Sequence, residues 1–275
     1  TRDAFSESVY HGKGRASNAR PYNAFPRGAF VMILNRNTIL PAAPAAKPVQ
    51  YALKALHRDF DRVFTDTAAP GGRILLTIND TLPAEQYTLT VDADTLLLSA
   101  ADDLGFVYGL FEISRRFLGV QPFWFWNDQP FTVREGEKIP VGTVVESKSY
   151  KVKYRGWFVN DETLLSHWKV ERRANLPFVM AFETLLRLGG NMVIPGTGKN
   201  AVLYRRTAAD MGLIITHHHA EPLGAEMFAQ AYPDLEPMYS KYPEKFRALW
   251  QAGIDAQKDM RVIWNIGFRG QGDKP

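Results

Sequence analysis

Tyr154-Arg155-Gly156-Trp157-Phe158-Val159-Asn160-Asp161-Glu162 is the stretch on which the fold turns. Tyr154, Trp157, Phe158 and Val159 favour a strand, and the strand runs straight into an amide and two carboxylates. The pattern returns three times downstream. Residues 191–195 lead into Gly196-Thr197-Gly198-Lys199, and residues 213–216 into His217-His218-His219-Ala220-Glu221. Residues 262–266 lead into Gly267-Phe268-Arg269-Gly270-Gln271-Gly272-Asp273. Helical stretches lie between them. Pro177 opens one with Phe178, Ala181, Phe182, Leu185 and Leu188 on a single face, ended by Gly189-Gly190. Pro243 opens another, with Phe246, Leu249, Trp250 and Ile254 as its buried stripe.

Alternating strands and helices favour a parallel sheet, and polar groups gathered at the carboxyl ends of strands are the working pattern of a (β/α)8 barrel. An open doubly wound sheet also fits four strands. Its first turn would need glycines to hold a phosphate, whereas Asn160-Asp161-Glu162 is acidic and would repel one. A barrel takes about 250 residues, and 125 follow Tyr150 in a chain of 275. The fold class is therefore α/β, with residues 151–275 as the first half of a TIM barrel, about four βα units. The C-terminal half of that barrel is the missing partner.

The first 150 residues read as a small α+β domain with a mixed or antiparallel sheet. Residues 1–28 form an arm without periodicity, 29–34 a strand, and Pro41-Ala42-Ala43-Pro44 a short linker. Val49, Leu53, Leu56, Phe60 and Val63 recur at helical spacing. Residues 73–78 form a strand, and 87–91 with 95–99 a hairpin across Asp92-Ala93-Asp94. Leu104, Val107, Tyr108, Phe111 and Leu118 mark a second helix that Gly119 closes. In 121–131, Trp124 and Trp126 are expected on one face of an extended segment.

Composition narrows the class. Hydrophobic content of 45% with 12% aromatics supports a core, and the absence of cysteine excludes disulfides and thiolate zinc sites. The net charge of +4, from 33 basic against 29 acidic side chains, is mild. Arg20, Arg36, Arg62, Arg73 and Lys151 are scattered, so a solvated basic surface is favoured over a nucleic-acid groove. No apolar run approaches the roughly 20 residues of a membrane helix. Because Thr1 stands first, a removed leader is expected, and with it a secreted or periplasmic location.

Three clusters can carry chemistry. Asn160, Asp161 and Glu162 can bind sugar hydroxyls or serve in acid–base work, although Asp161 or Glu162 can equally cap the next segment. His217 and His219 share a face of an extended backbone, as in metal-dependent hydrolases, with Glu221 nearby. His167 is the one other histidine in this half, so further ligands are not visible. Arg269 with Asp273 sets a planar cation and a carboxylate on a glycine frame, suited to gripping a carboxylate. Trp157 and Trp264 fall within strands, where rings fill the wall. Gly196-Thr197-Gly198-Lys199 lacks Walker spacing and is given no nucleotide role.

Residues 154–162, Leu185-Leu186-Arg187-Leu188-Gly189-Gly190-Asn191, His218-His219-Ala220-Glu221-Pro222 and 267–273 together resemble glycoside hydrolase family 115 over nearly all of 150–275. The stretch 103–110 is similar to the small domain that precedes the barrel in this and other glycosidase families. The family consists of α-glucuronidases that remove glucuronic acid or its 4-O-methyl ether from xylan. The resemblance implies an inverting acid/base mechanism without cofactor or metal, acting on a polysaccharide or oligosaccharide bearing uronic acid. It implies Asp273 as a catalytic carboxylate. It implies Asn160, Asp161, Glu162, His218, Glu221 and Arg269 as substrate-binding residues. The sequence departs from typical members at Gly189-Gly190 and at Pro195-Gly196-Thr197-Gly198, where they carry bulkier and aromatic residues. Two rival readings remain at this stage: a metal-dependent barrel hydrolase using His217 and His219, and an inactive fragment that binds carbohydrate.

Overall fold

The computed structural model describes residues 30–42, 46–165 and 167–267. The expected arm at 1–28, Ala43 and Pro44 of the expected linker, and Arg269 with Asp273 lie outside the described residues.

The first 150 residues supply two sheets. β1 (Val31–Leu34) pairs antiparallel with β5 (Glu137–Pro140). Between them come α1 (Lys47–Val63), β2 (Arg73–Ile78), β3 (Tyr87–Asp92), β4 (Thr95–Ala100) and α2 (Asp103–Ile113). With β6 (Val144–Glu146) they build a four-stranded mixed sheet of order β2-β4-β3-β6, in which only β2 and β4 run parallel. The expected stripe of α1 is buried throughout. The hairpin turns at Ala93, held at φ 49°. Asp102 caps α2 by accepting the Gly105 N–H at 2.8 Å. A Cβ on Gly109 would stand 2.4 Å from Leu98 Cδ1, so α2 lies directly against β4 because that position is glycine. The helix widens over Ser114–Leu118 and stops at Gly119 with φ 78°.

Stretch 121–131 corrects an expectation. It is a run of turns, with Trp124 N–H donating to Gln121 O and Gln129 N–H to Trp124 O. Both tryptophans nonetheless reach the same helix, donating to Glu183 and Thr184.

From residue 154 the topology changes to β7 (Gly156–Phe158), α3 (Asp161–Leu164), α4 (Leu176–Arg187), β8 (Met192–Ile194), α5 (Lys199–Asp210) and β9 (Ile214–Ile215). Short α6 (Phe228–Ala231) and α7 (Pro243–Asp255) follow. The three strands form a parallel sheet in the order β7-β8-β9. Each strand is shorter than expected. The fourth expected strand, at 262–266, is reduced to one parallel bridge between Ile215 and Val262. Helix α4 ends before Leu188, which is 49% exposed rather than on the buried face. On α7 only Phe246 of the expected stripe is buried; Leu249, Trp250 and Ile254 are half-buried.

The amino ends of β7 and β8 are clamped to the turn that precedes β3. Asn191 accepts Arg155 N–H and donates to Lys153 O and Glu85 Oε1, each at 2.8 Å. Arg155 pairs with Glu85 and donates to Gly189 O at 2.7 Å. A Cβ on Gly156 would lie 2.2 Å from Met192 O, so only glycine lets these strands meet there.

The buried apolar cluster runs unbroken from Met32 to Ile215. At its seam α1 meets α4 through charges. Arg58 grips Glu183 with both Nη atoms, at 2.9 and 2.7 Å, and Arg187 joins Glu183 to Asp59. Ser114 donates to Asp59 at 2.7 Å, and the guanidiniums of Arg58 and Arg62 both lie over the Trp124 ring. Burial pushes the Glu183 carboxyl up, but Arg187 and Arg58 outweigh it and bring it from 4.5 to about 2. A depressed value means stability present above about 4.5 and lost as pH falls through about 2. Glu183→Gln leaves two guanidiniums under-compensated and should cost about 3 kcal/mol at pH 7. Urea unfolding at pH 7 and pH 3 checks this, the variant losing less than wild type on acidification.

Candidate active site

Because β7, β8 and β9 run parallel, the residues that follow each strand share one edge of the sheet. After β7 comes Asp161, 1% exposed. Its Oδ1 accepts the Thr197 N–H at 2.6 Å and its Oδ2 accepts Asn200 Nδ2–H. Asp161 therefore turns inward to the loop after β8; the N-cap position of α3 is Asn160, which makes no side-chain cap.

That loop is Gly196-Thr197-Gly198. Gly198 stands at φ 55°, ψ −123°, open only to a residue without Cβ, and its N–H donates to Glu221 Oε1. The loop thus sits between two carboxyl groups at the start of α5, where the helix dipole favours negative charge. Glu221, after β9, is 3% exposed. Burial pushes its carboxyl up to about 7 from 4.5; the Gly198 N–H opposes this and the Asp161 charge adds to it. Arg205 of α5 faces Glu221 electrostatically while Nη1 donates to Gly224 O at 2.9 Å.

His218 packs its ring on Phe158 of β7, 5.3 Å between centroids, and on His219 at 3.8 Å. Its carbonyl accepts the Glu221 N–H at 2.9 Å and Asn265 Nδ2–H at 3.0 Å. His218 therefore ties β7, the loop after β9 and the segment after Val262 together.

The expected residues divide as follows. Asp161, His218 and Glu221 are brought to one edge. Asn160 and Glu162 lie at the same strand end and are exposed; the Glu162 charge is felt at Glu221. His217 is held by a different set of neighbours. It is buried, its Nε2 is 2.9 Å from Gln257 Oε1, and its ring lies parallel to Trp264 at 5.7 Å. Among the described residues no group of three His, Asp or Glu side chains is placed to hold a metal ion. Trp264 is 38% exposed, lying on His217 instead of filling a wall. Asn200, Arg205 and Gln257 carry no signal in the sequence pattern. The Gly196-Thr197-Gly198 turn between strand and helix is visible in the sequence as a strand-end cluster, but its backbone contact with Glu221 is not.

The arrangement couples a carboxylate fixed by two donors, a carboxyl that titrates near neutrality, and an imidazole on an aromatic face. Such groups can hold sugar hydroxyls as donor and acceptor. Among the described residues no helix is long and apolar enough to cross a membrane.

Residues 147–275 match Glycosyl hydrolase family 115. The chain is similar to the solved structure of a family GH115 4-O-methyl-α-glucuronidase with specificity for decorated arabinogalactans, at 22% identity and TM-score 0.69. That match covers 88% of this chain and 37% of the other, so this chain spans little more than a third of that enzyme; the likeness is one of fold. A GH20 exo-β-N-acetylglucosaminidase from Vibrio harveyi aligns at 13% identity and TM-score 0.47, covering 74% of this chain and 36% of its own. A chitobiase from Flavobacterium johnsoniae aligns at 16% and 0.45, covering 74% and 34%. No curated protein sequence matches.

A raised Glu221 means that the fold binds this proton more tightly than the unfolded chain. The stability it gives is full below about 4.5 and lost as pH rises through about 7. Wild type should therefore lose up to about 3 kcal/mol between pH 5 and pH 8 through this group. Glu221→Gln should remove that loss, as urea midpoints at the two pH values would show. An undiminished loss in the variant would contradict the assignment.

Proposed function

We propose, from the match of residues 147–275 to Glycosyl hydrolase family 115, that this chain forms one side of the catalytic pocket of an exported α-glucuronidase. In this reading residues 1–150 are an accessory domain and 151–275 the first βα units of a TIM barrel. The substrate is a xylan or related polysaccharide bearing glucuronic acid or its 4-O-methyl ether as side chains. The observation that carries the reading is the meeting of Asp161, His218 and Glu221, sixty positions apart at the extremes, at one edge of a parallel sheet inside the family-matched segment.

Arg269 holds the uronate carboxylate, a bidentate match of fork to carboxylate. Glu221, near its midpoint at neutral pH, offers a hydroxyl either a donor or an acceptor. His218 presents an imidazole edge, and Asn160 and Glu162 reach the sugar from the exposed rim. Asp161 holds the loop after β8 on which that sugar-facing edge is built. Asp273 is the catalytic carboxylate. Inversion needs a second carboxyl roughly 6.5–9.5 Å away, leaving room for the attacking water. No metal takes part in this reading.

The test uses the protein at its full encoded length, offered glucuronoxylan and glucuronic acid-decorated arabinogalactan. It should release the uronic acid with inversion at C1, read by proton NMR before mutarotation, and a chelator should leave the rate unchanged. Asp273→Asn should lower the rate at least about 100-fold. An unchanged rate in that variant removes Asp273 from the mechanism, and retention at C1 overturns the inverting scheme.

A further inference from the structure

The state of His217 follows from its neighbour. Gln257 is fully buried, and its Nε2–H donates to Gly253 O at 2.9 Å. Its Oε1 is therefore the atom that faces His217 Nε2 at 2.9 Å, and reversing the amide would set two acceptors against each other at Gly253. Since Oε1 can only accept, His217 carries its hydrogen on Nε2. Burial, opposed by the Gln257 contact and aided by the Arg205 charge, lowers the ring's proton affinity, so the imidazole is neutral and Nδ1 bears a lone pair. His217 is 8% exposed, and among the described residues Nδ1 is buried without a hydrogen-bond partner. Such an acceptor costs stability unless a donor reaches it.

His217 also lines a cavity of about 10 Å³, together with Glu221, Arg205, Gly224 and Thr216 among others. That is close to the space of one water molecule. His217 and Glu221 border the same small space, and a molecule with two hydrogens can serve an acceptor on each.

We propose that one buried water bridges His217 Nδ1 and the Glu221 carboxyl, making His217 a positioning residue that tunes the protonation of Glu221. The water donates one O–H to Nδ1 and the other to the ionised Glu221. When Glu221 is protonated, its O–H donates to the water oxygen instead, and the bond to Nδ1 persists. The bond to the ionised form is charge-assisted and stronger, so the bridge works against the effect of burial. The other charges facing Glu221 are Asp161 and Glu162 from α3 and Arg205 from α5, with the Gly198 N–H from the loop after β8. Facing His217 are Arg205 and Gln257. The consequence for turnover rests on the glucuronidase reading of Glu221, whereas the bridge itself does not.

Two measurements on the full-length protein without substrate keep the two apart. A crystal structure at a resolution that shows ordered water should place one within about 3 Å of His217 Nδ1 and within reach of Glu221. The carbon-13 titration of Glu221 should then shift upward about tenfold in proton affinity in His217→Gln, which keeps a group near Nε2 but none at Nδ1. His217→Asn, with an amide oxygen near the Nδ1 position, should hold the wild-type midpoint. A dry cavity, nitrogen-15 shifts showing the hydrogen on Nδ1, or an unmoved midpoint in a folded His217→Gln would each overturn the proposal. The nitrogen-15 spectrum of the wild type decides even if neither variant folds. A protein that lacks glucuronidase activity but shows the bridge would leave this inference standing and remove the other.

Discussion

Parallel register in a three-stranded sheet is the constraint from which the candidate site follows. Strands a few ångströms apart that run the same way must deliver their next residues to one edge. Asp161, Gly198 and Glu221 therefore meet although each arrives from a different loop. The register is fixed at the opposite ends, where Asn191 and Arg155 anchor β7 and β8 to Glu85 and Gly156 lets the backbones touch. A rigid base and a loop-built rim divide stability from chemistry along the length of the same strands.

The charges divide in the same way. At the seam between α1 and α4, Glu183 has two guanidiniums in contact and Asp59 shares them, so burial there is compensated by pairing. At the strand ends Glu221 has an amide N–H, a like charge at Asp161, and an arginine that bonds elsewhere. One buried carboxyl is consequently held down near 2 and the other lifted to about 7. A group tuned toward neutrality by incomplete compensation is the kind that handles protons or sugar hydroxyls.

Much of this was legible in the chain. The stripe of α1, the Gly119 stop, the hairpin at Ala93 and the prolines opening α4 and α7 were all readable because each rests on local spacing. The parallel sheet was readable from alternation, but strand lengths were not: 262–266 pairs through a single bridge because pairing depends on partners far away in sequence. Tertiary contacts also decided 121–131, where Trp124 and Trp126 follow their partners on α4 instead of a strand's pleat. In the site, Asp161, His218 and Glu221 announced themselves as polar groups after apolar runs. His217 misled, since its commitment to Gln257, forty positions on, leaves no local trace. Gly198 was visible as a glycine but not as a donor to Glu221, because a backbone N–H has no letter in the sequence.

In the proposed function these strand-end groups surround a uronic sugar. A crystal structure of the full-length protein soaked with glucuronic acid tests it most directly. The account expects the sugar carboxylate on Arg269, with ring hydroxyls within hydrogen-bond distance of Glu221 and His218. A sugar bound elsewhere, with Glu221 and His218 touching none of it, would contradict the account.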